Sequence, residues 1–110
     1  MMRPAKLSPS QIDALAEALG DWQLNTARTS LSLQLKFPSF AAAFAFMSEM
    51  AEAAEALDHH PDWSNSYRRV TIKLTTHDVG GLTTLDTELA HKMSEAAQRF
   101  EAITLGGQDV

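Results

Sequence analysis

Apolar and polar positions alternate along the chain with two different periods, and these periods divide it into helices and strands. Apolar residues recur at helical spacing over about residues 9–19. Ser8 is placed to cap this helix, and Gln11 is placed to complete a capping box. Trp22 and Leu24 then alternate with polar residues, which indicates a short strand.

The clearest strand signal lies over residues 30–37. Apolar residues alternate there with polar ones: Leu31, Leu33, Leu35 and Phe37 against Ser30, Ser32, Gln34 and Lys36. A period of two predicts a strand with one buried face and one wetted face. It favours an antiparallel sheet that is covered on one side only.

A long amphipathic helix is predicted over about residues 40–57, after Pro38 and with Ser39 as its cap. Its apolar positions are spaced by three and four residues, and we expect them to form its buried face. These positions are Phe40, Phe44, Met47, Ala51, Ala54 and Leu57.

Two further strands and a third helix follow. Residues 63–66 and 70–74 are predicted to form a hairpin that turns near Tyr67. Thr83 is placed as the N-cap of a last helix that runs to about Phe100.

The order helix, two strands, helix, two strands, helix predicts an α+β domain with two layers. We expect a four-stranded antiparallel sheet with three helices on one face. Residues 1–110 are expected to form a single domain, and its ends, residues 1–7 and 105–110, are expected to be frayed.

Composition narrows the classes of function. A length of 110 residues suits one globular domain, and a net charge of -5 argues against nucleic acid and against an anionic membrane surface as partners. The absence of cysteine excludes disulfides and thiolate metal sites. No stretch approaches the ~20 apolar residues that a membrane span needs. We therefore expect a cytoplasmic protein that binds neither nucleic acid nor membrane directly.

Three histidines are the best candidates for chemistry. His59 and His60 end the long helix, and His77 ends the last strand, just before Gly80 and Gly81. Histidine gives and takes protons near neutral pH, so two such groups across a substrate suit acid–base catalysis.

The histidines also have other interpretations. Those at helix ends often bind loose carbonyls, and three histidines could hold a metal, although adjacent side chains diverge. His91 lies among polar neighbours of the last helix and is interpreted as a surface residue.

Two other residues have both a structural and a functional interpretation. Asp86 follows Thr83 by three residues, so it suits a capping box and a favourable charge at the helix start. Trp63 suits the core, but it would equally suit the wall of a site for a flat aromatic ligand.

The spacing of these residues resembles the signature of the pterin-4a-carbinolamine dehydratases. Seven residues and the intervals between them carry the resemblance, which extends over nearly the whole chain and includes the segments 59–63 and 74–83. The positions are Glu55, then after three residues His59-His60-Pro61, after five Tyr67, after nine His77, and after eight Asp86.

The resemblance implies an enzyme that removes water from 4a-hydroxytetrahydropterin, gives quinonoid dihydropterin and needs no metal or organic cofactor. It implies that His59 and His77 are the acid–base residues and that His60 positions the substrate. It further implies pterin contacts and supporting residues. The contacts are Pro61, Trp63, Thr76, Asp78 and Val79, besides the three histidines, and the supporting residues are Glu55 and Asp86.

The resemblance also implies partners. Family members form homodimers or homotetramers, and their reaction regenerates the pterin used by aromatic amino-acid hydroxylases. An alternative is a non-enzymatic pterin-binding or regulatory protein, since some members act as dimerisation cofactors of a transcription factor. Because this chain keeps all three histidines, the enzyme is favoured.

Overall fold

The computed structural model describes residues 4–105. The fraying expected for residues 1–3 and 106–110 lies outside these described residues. The chain forms three helices, five strands and one short 3-10 turn: α1 (Pro9–Ala18), β1 (Gln23–Leu24), β2 (Leu31–Lys36), α2 (Phe40–Leu57), β3 (Asp62–Ser66), β4 (Arg69–Leu74), the turn His77–Val79, α3 (Thr84–Arg99) and β5 (Ile103–Leu105).

The strands form one antiparallel sheet in the order β1-β2-β4-β3, and β5 pairs with β2 beside β1. The predicted α+β class is therefore confirmed. The hairpin of β3 and β4 turns at Tyr67 and Arg68, since Ser66 pairs with Arg69. Along β2 and β4 every second residue is buried beneath the helices, as period two requires.

The fifth strand was not predicted, and it includes Leu105, which was expected to belong to the frayed end. Leu105 pairs with Gln34, and Ile103 pairs with Lys36. β5 has no alternating burial, because its first two residues are both exposed. Its order comes from backbone pairing with β2, which leaves no signal in the side-chain pattern.

Leu7, at the other end that was expected to be frayed, is bonded to the rest of the fold. Its N–H donates to the carbonyl of Leu82 at 2.9 Å, and its side chain packs against the core. The segment before α1 is thus fastened to the loop that precedes α3.

The buried face of α2 agrees only in part with the predicted one, although its bounds are as predicted. Its buried residues are Ala43, Phe46, Met50 and Ala54. Of the predicted residues Ala54 is buried, and Met47 and Leu57 pack partly buried against the core. Phe40 and Phe44 were expected in the core but are 47% and 57% exposed. The helix carries alanine or a large apolar residue on nearly every side of its first three turns, so spacing alone could not choose between two apolar stripes.

An exposed ion pair joins α2 to α3 away from their connected ends. Arg99 donates from both terminal nitrogens to the Glu49 carboxylate. These hydrogen bonds hold the pKa of Glu49 below its usual value. No helix among residues 4–105 is long and apolar enough to cross a membrane.

The face of α2 can be tested with two phenylalanines of the same helix. Phe46→Ala should lower the free energy of unfolding by about 3–5 kcal/mol, because it leaves a cavity beside the rings of Phe37 and Phe100. Phe44→Ala should change it by about 0.5 kcal/mol or less. Urea unfolding measures the free energy of unfolding of both variants. It should be done at protein concentrations at which the unfolding midpoint does not change with concentration. Equal losses would contradict the assignment of the buried face.

Candidate active site

The three histidines meet at one cavity between the end of α2 and the turn after β4. The cavity has a volume of about 160 Å³. Its lining consists of His59, His60, Thr75, Thr76, His77 and Asp78. Residues that are eighteen positions apart in the chain are thus brought to one place, as the sequence predicted.

The end of α2 turns the chain so that His59 points inward. Asp58 adopts a left-handed conformation with φ of 50°. The N–H of His59 then donates to the carbonyl of Ala54 at 3.0 Å, which closes the last turn of the helix. As a result His59 is only 5% exposed.

A tight loop shapes the other wall of the cavity. Thr76 N–H donates to the carbonyl of Gly81 at 2.9 Å, and the Thr76 carbonyl accepts from Val79 and Gly80. Gly80 has φ of 67°, a conformation that glycine adopts without strain. Because the N–H and carbonyl of Thr76 are used within the loop, this residue can offer a ligand little beyond its carbon atoms.

His59 is held by a buried carboxylate. Its Nε2 lies 2.6 Å from Oδ1 of Asp86, which is fully buried in the first turn of α3. The other carboxylate oxygen accepts from the hydroxyl of Thr76 at 2.7 Å and from the N–H of Thr83 at 2.9 Å. The predicted capping box of Thr83 and Asp86 is therefore present, and the same carboxylate also holds the histidine.

The other two histidines also face carboxylates, but at the surface. His60 Nε2 lies 3.4 Å from Glu55 Oε2, and His77 Nε2 lies 3.2 Å from Asp62 Oδ2. The His60 and His77 side chains are 56% and 72% exposed. Exposed pairs contribute little energy, so these two rings are held less firmly than His59.

Asp62 is a residue of the site that the sequence reasoning did not single out. The hairpin register pairs Asp62 with Lys73, so Asp62 lies at the end of the hairpin from which β4 continues toward His77. That register could have been read from the two-residue turn at Tyr67, and it is the signal that would have found Asp62.

The other predicted contacts lie around the cavity. Pro61, Trp63 and Val79 do not line it, whereas Thr75, which was not predicted, does. Trp63 pairs with the buried Ile72 and packs, half-buried, against the core. This packing favours its structural interpretation, and the three ligand contacts stay predictions.

The fourth histidine, His91, does not line the cavity. His91 is exposed on α3, as predicted. Within residues 4–105 no group of three or more histidine, aspartate or glutamate side chains has the arrangement of a metal site.

Comparison with known proteins gives consistent matches. The family model described as pterin 4 alpha carbinolamine dehydratase matches residues 5–96. A protein of Mesorhizobium japonicum, named as a pterin-4-alpha-carbinolamine dehydratase, is 50% identical over 93 residues, which are 84% of this chain and 95% of that protein. One of Bordetella avium with the same name is 50% identical over 88 residues, 80% of this chain and 82% of that protein.

A solved structure has the same fold. It comes from Brucella melitensis and is described as a transcriptional coactivator/pterin dehydratase. It matches with a TM-score of 0.80 and 41% identity, over 84% of this chain and 98% of that one.

The role of the buried carboxylate can be tested by its amide. In Asp86→Asn one carboxylate oxygen is replaced by an NH₂ group, which faces a buried donor in either orientation of the amide. In one orientation it faces the Thr83 N–H and the Thr76 hydroxyl, and in the other it faces the Nε2–H of His59. We expect the free energy of unfolding to fall by about 1–3 kcal/mol or more. The exposed Asp21→Asn is the control and should change it by about 0.5 kcal/mol or less. A variant at position 86 as stable as the wild type in urea would refute this role.

Proposed function

Since the chain belongs to the pterin 4 alpha carbinolamine dehydratase family, we propose that it removes water from 4a-hydroxytetrahydropterin by histidine acid–base catalysis. The observation that carries the proposal is the cavity itself. His59, His60 and His77 line it together, and each has a carboxylate beside its Nε2.

The reaction requires two proton movements. The bond from C4a to the hydroxyl oxygen breaks, and the oxygen takes a proton to leave as water. The ring nitrogen bonded to C4a loses its proton, and its electrons form the new C=N bond of the quinonoid dihydropterin. One protonated and one neutral imidazole supply both steps without an added cofactor, and each role contributes about 10²- to 10⁴-fold in rate.

We assign these two roles to His59 and His77, and we assign the positioning of the substrate to His60. The environments of the two proposed proton carriers differ, which supports a division of labour. His59 is buried against Asp86, whereas His77 is exposed beside Asp62. Which of the two gives the proton depends on the orientation of the bound pterin.

Backbone and wall contacts complete the proposed site. His77, Asp78 and Val79 follow the end of β4, where the chain turns, and they belong to the proposed pterin contacts. The Val79 N–H already donates to the Thr76 carbonyl, so Val79 would contribute its side chain. Pro61 and Trp63 also belong to the proposed pterin contacts, because they lie in the segment that leads from His60 into β3. Glu55 is proposed to support His60, whose Nε2 it faces.

The product would be reduced again and reused, so the proposed role is tetrahydropterin recycling for an aromatic amino-acid hydroxylase. A cytoplasmic location is part of this proposal, because a chain without cysteine suits a reducing compartment.

We also propose that the protein assembles as a homodimer or homotetramer through α2 and the sheet edge. Phe40 and Phe44 project from α2 with their ring centres 5.9 Å apart, and both are about half exposed. Adjacent exposed phenylalanines are typical of a surface that a partner covers. β3 pairs only with β4 among the described strands, so its outer edge is available to a second copy.

The catalytic assignment predicts the effect of single substitutions. His59→Ala or His77→Ala should slow the loss of the carbinolamine by at least about 10²-fold, because each removes one proton carrier. His91→Ala, an exposed histidine of α3, should leave the rate unchanged. Stopped-flow absorbance measures all of them.

Two outcomes of this assay would be decisive. A wild-type rate no faster than that of buffer would refute the dehydratase, and full activity in both cavity variants would refute the assignment of His59 and His77. A chelator should have no effect, and loss of activity on its addition would restore the metal interpretation.

The assembly surface predicts a change of mass. Phe44→Lys should shift the protein toward a smaller species in sedimentation velocity, because a charge would be buried against the second copy. His91→Lys introduces the same charge at an exposed residue of α3, outside both α2 and β3, and should not. An unchanged mass for Phe44→Lys would exclude α2 from the interface.

A further inference from the structure

A chain of buried polar groups lies behind His59. Thr83 Oγ1 is 2.8 Å from Thr76 Oγ1, which is 2.7 Å from Asp86 Oδ2, and Asp86 Oδ1 is 2.6 Å from His59 Nε2. Every member is buried, with exposures between 0% and 5%. The network therefore has little access to water, and its protons must be distributed among these four side chains and the adjacent backbone.

The number of protons that each side chain of this network carries determines which group donates and which accepts in each hydrogen bond. The Asp86 carboxylate only accepts, so the single hydroxyl proton of Thr76 points to it. Thr76 must then accept from Thr83, whose own oxygen accepts from the N–H of Leu85 at 3.2 Å. The hydroxyl protons therefore all point the same way: Thr83 donates to Thr76, and Thr76 donates to Asp86.

The same count fixes the orientation of His59. Since Asp86 only accepts, the proton of this hydrogen bond belongs to His59 Nε2. Among the described residues no buried side-chain nitrogen or oxygen lacks a partner. No hydrogen bond joins Nδ1 of His59 to another residue of the described part of the chain, which leaves this atom to solvent. The cavity that His59 lines is where we infer this contact with solvent.

We propose that Thr76 and Thr83 are positioning residues that hold Asp86 against His59, so that Nδ1 of His59 is the atom that exchanges protons with the substrate. The neutral ring then offers a lone pair at Nδ1, and the charged ring offers a proton at the same atom. Proton exchange is thus confined to one atom. The exchange of protons with the substrate rests on the proposed function, whereas the orientation of the His59 ring does not.

Asp86 accepts hydrogen bonds from three donors, which together hold its side chain in one orientation. Both carboxylate oxygens are occupied, by His59 on one side and by Thr76 and the Thr83 N–H on the other. Loss of the Thr76 hydroxyl would leave the Thr83 N–H as the remaining donor to Oδ2 of Asp86 and would remove the acceptor of the Thr83 hydroxyl. The Asp86 side chain could then rotate, and the hold on His59 would weaken.

Nitrogen NMR of the wild-type protein tests the ring orientation without substrate. With ¹⁵N-labelled histidine, and above the pH at which the imidazole has lost its second proton, His59 should show a protonated Nε2 and an unprotonated Nδ1. The other three histidines, His60, His77 and His91, contribute signals to the same spectrum, so His59→Asn identifies the His59 signals. A protonated Nδ1 in the wild type would overturn the proposal, whatever the dehydratase assay gives.

Thr76→Val tests the positioning role, because valine keeps the shape of threonine and lacks the hydroxyl. We expect kcat to fall by about 10-fold, with KM changed by less than about twofold, because a displaced group loses transition-state contact rather than binding. The His59 nitrogen signals should become a mixture of tautomers. Thr76→Ser, which restores the hydroxyl, should return both properties to near the wild-type values.

Thr71→Val is the matched control, since Thr71 lies on the exposed face of β4. It should leave kcat and the His59 signals unchanged. An unchanged His59 spectrum and kcat in Thr76→Val would overturn the role of Thr76. If that variant does not fold, the wild-type spectrum still decides the orientation of His59. A dehydratase-inactive wild type with the predicted spectrum would refute the function and leave the orientation standing.

Discussion

The hydrogen bond between His59 and Asp86 is the interaction on which the site depends. It joins the last turn of α2 to the first turn of α3, two elements that are separated in sequence by the whole β3–β4 hairpin. A buried carboxylate without partners would be costly, so the fold must supply donors at this point. It does so with one histidine, one hydroxyl and one backbone N–H.

Asp86 therefore has two roles in the structure that cannot be separated. Asp86 closes the capping box of α3 and holds His59 at the cavity. Thr76 contributes a hydroxyl to the same network and a backbone N–H and carbonyl to the tight loop with Gly81. The loop, the helix start and the histidine are fixed together, whereas His60 and His77 remain exposed and can adapt to a ligand.

Much of the architecture could be predicted because period and capping signals are local. The bounds of α2, the alternation of β2 and the capping box of Thr83 were all predicted. β5 could not be predicted, because its order comes from backbone pairing. The prediction of the buried face of α2 was wrong for Phe40 and Phe44, because alanine and phenylalanine occur on both faces of this helix.

The site was predictable only in part, for a related reason. Spacing and family resemblance brought the histidines together, but the carboxylate beside each ring is a property of three dimensions. The link from Asp86 to His59 and the approach of Asp62 to His77 both cross between elements. The first contact leaves no local pattern in the sequence, and the second could be inferred only from the register of the β3–β4 hairpin.

The most direct test of the account is a crystal structure of the protein with a dihydropterin bound. The account predicts the pterin ring in the cavity of the three histidines, with Nδ1 of His59 facing it and Nε2 still on Asp86. A pterin bound elsewhere, for example in the apolar groove between Leu15 of α1 and Thr87 of α3, or a His59 ring turned away from Asp86, would contradict it.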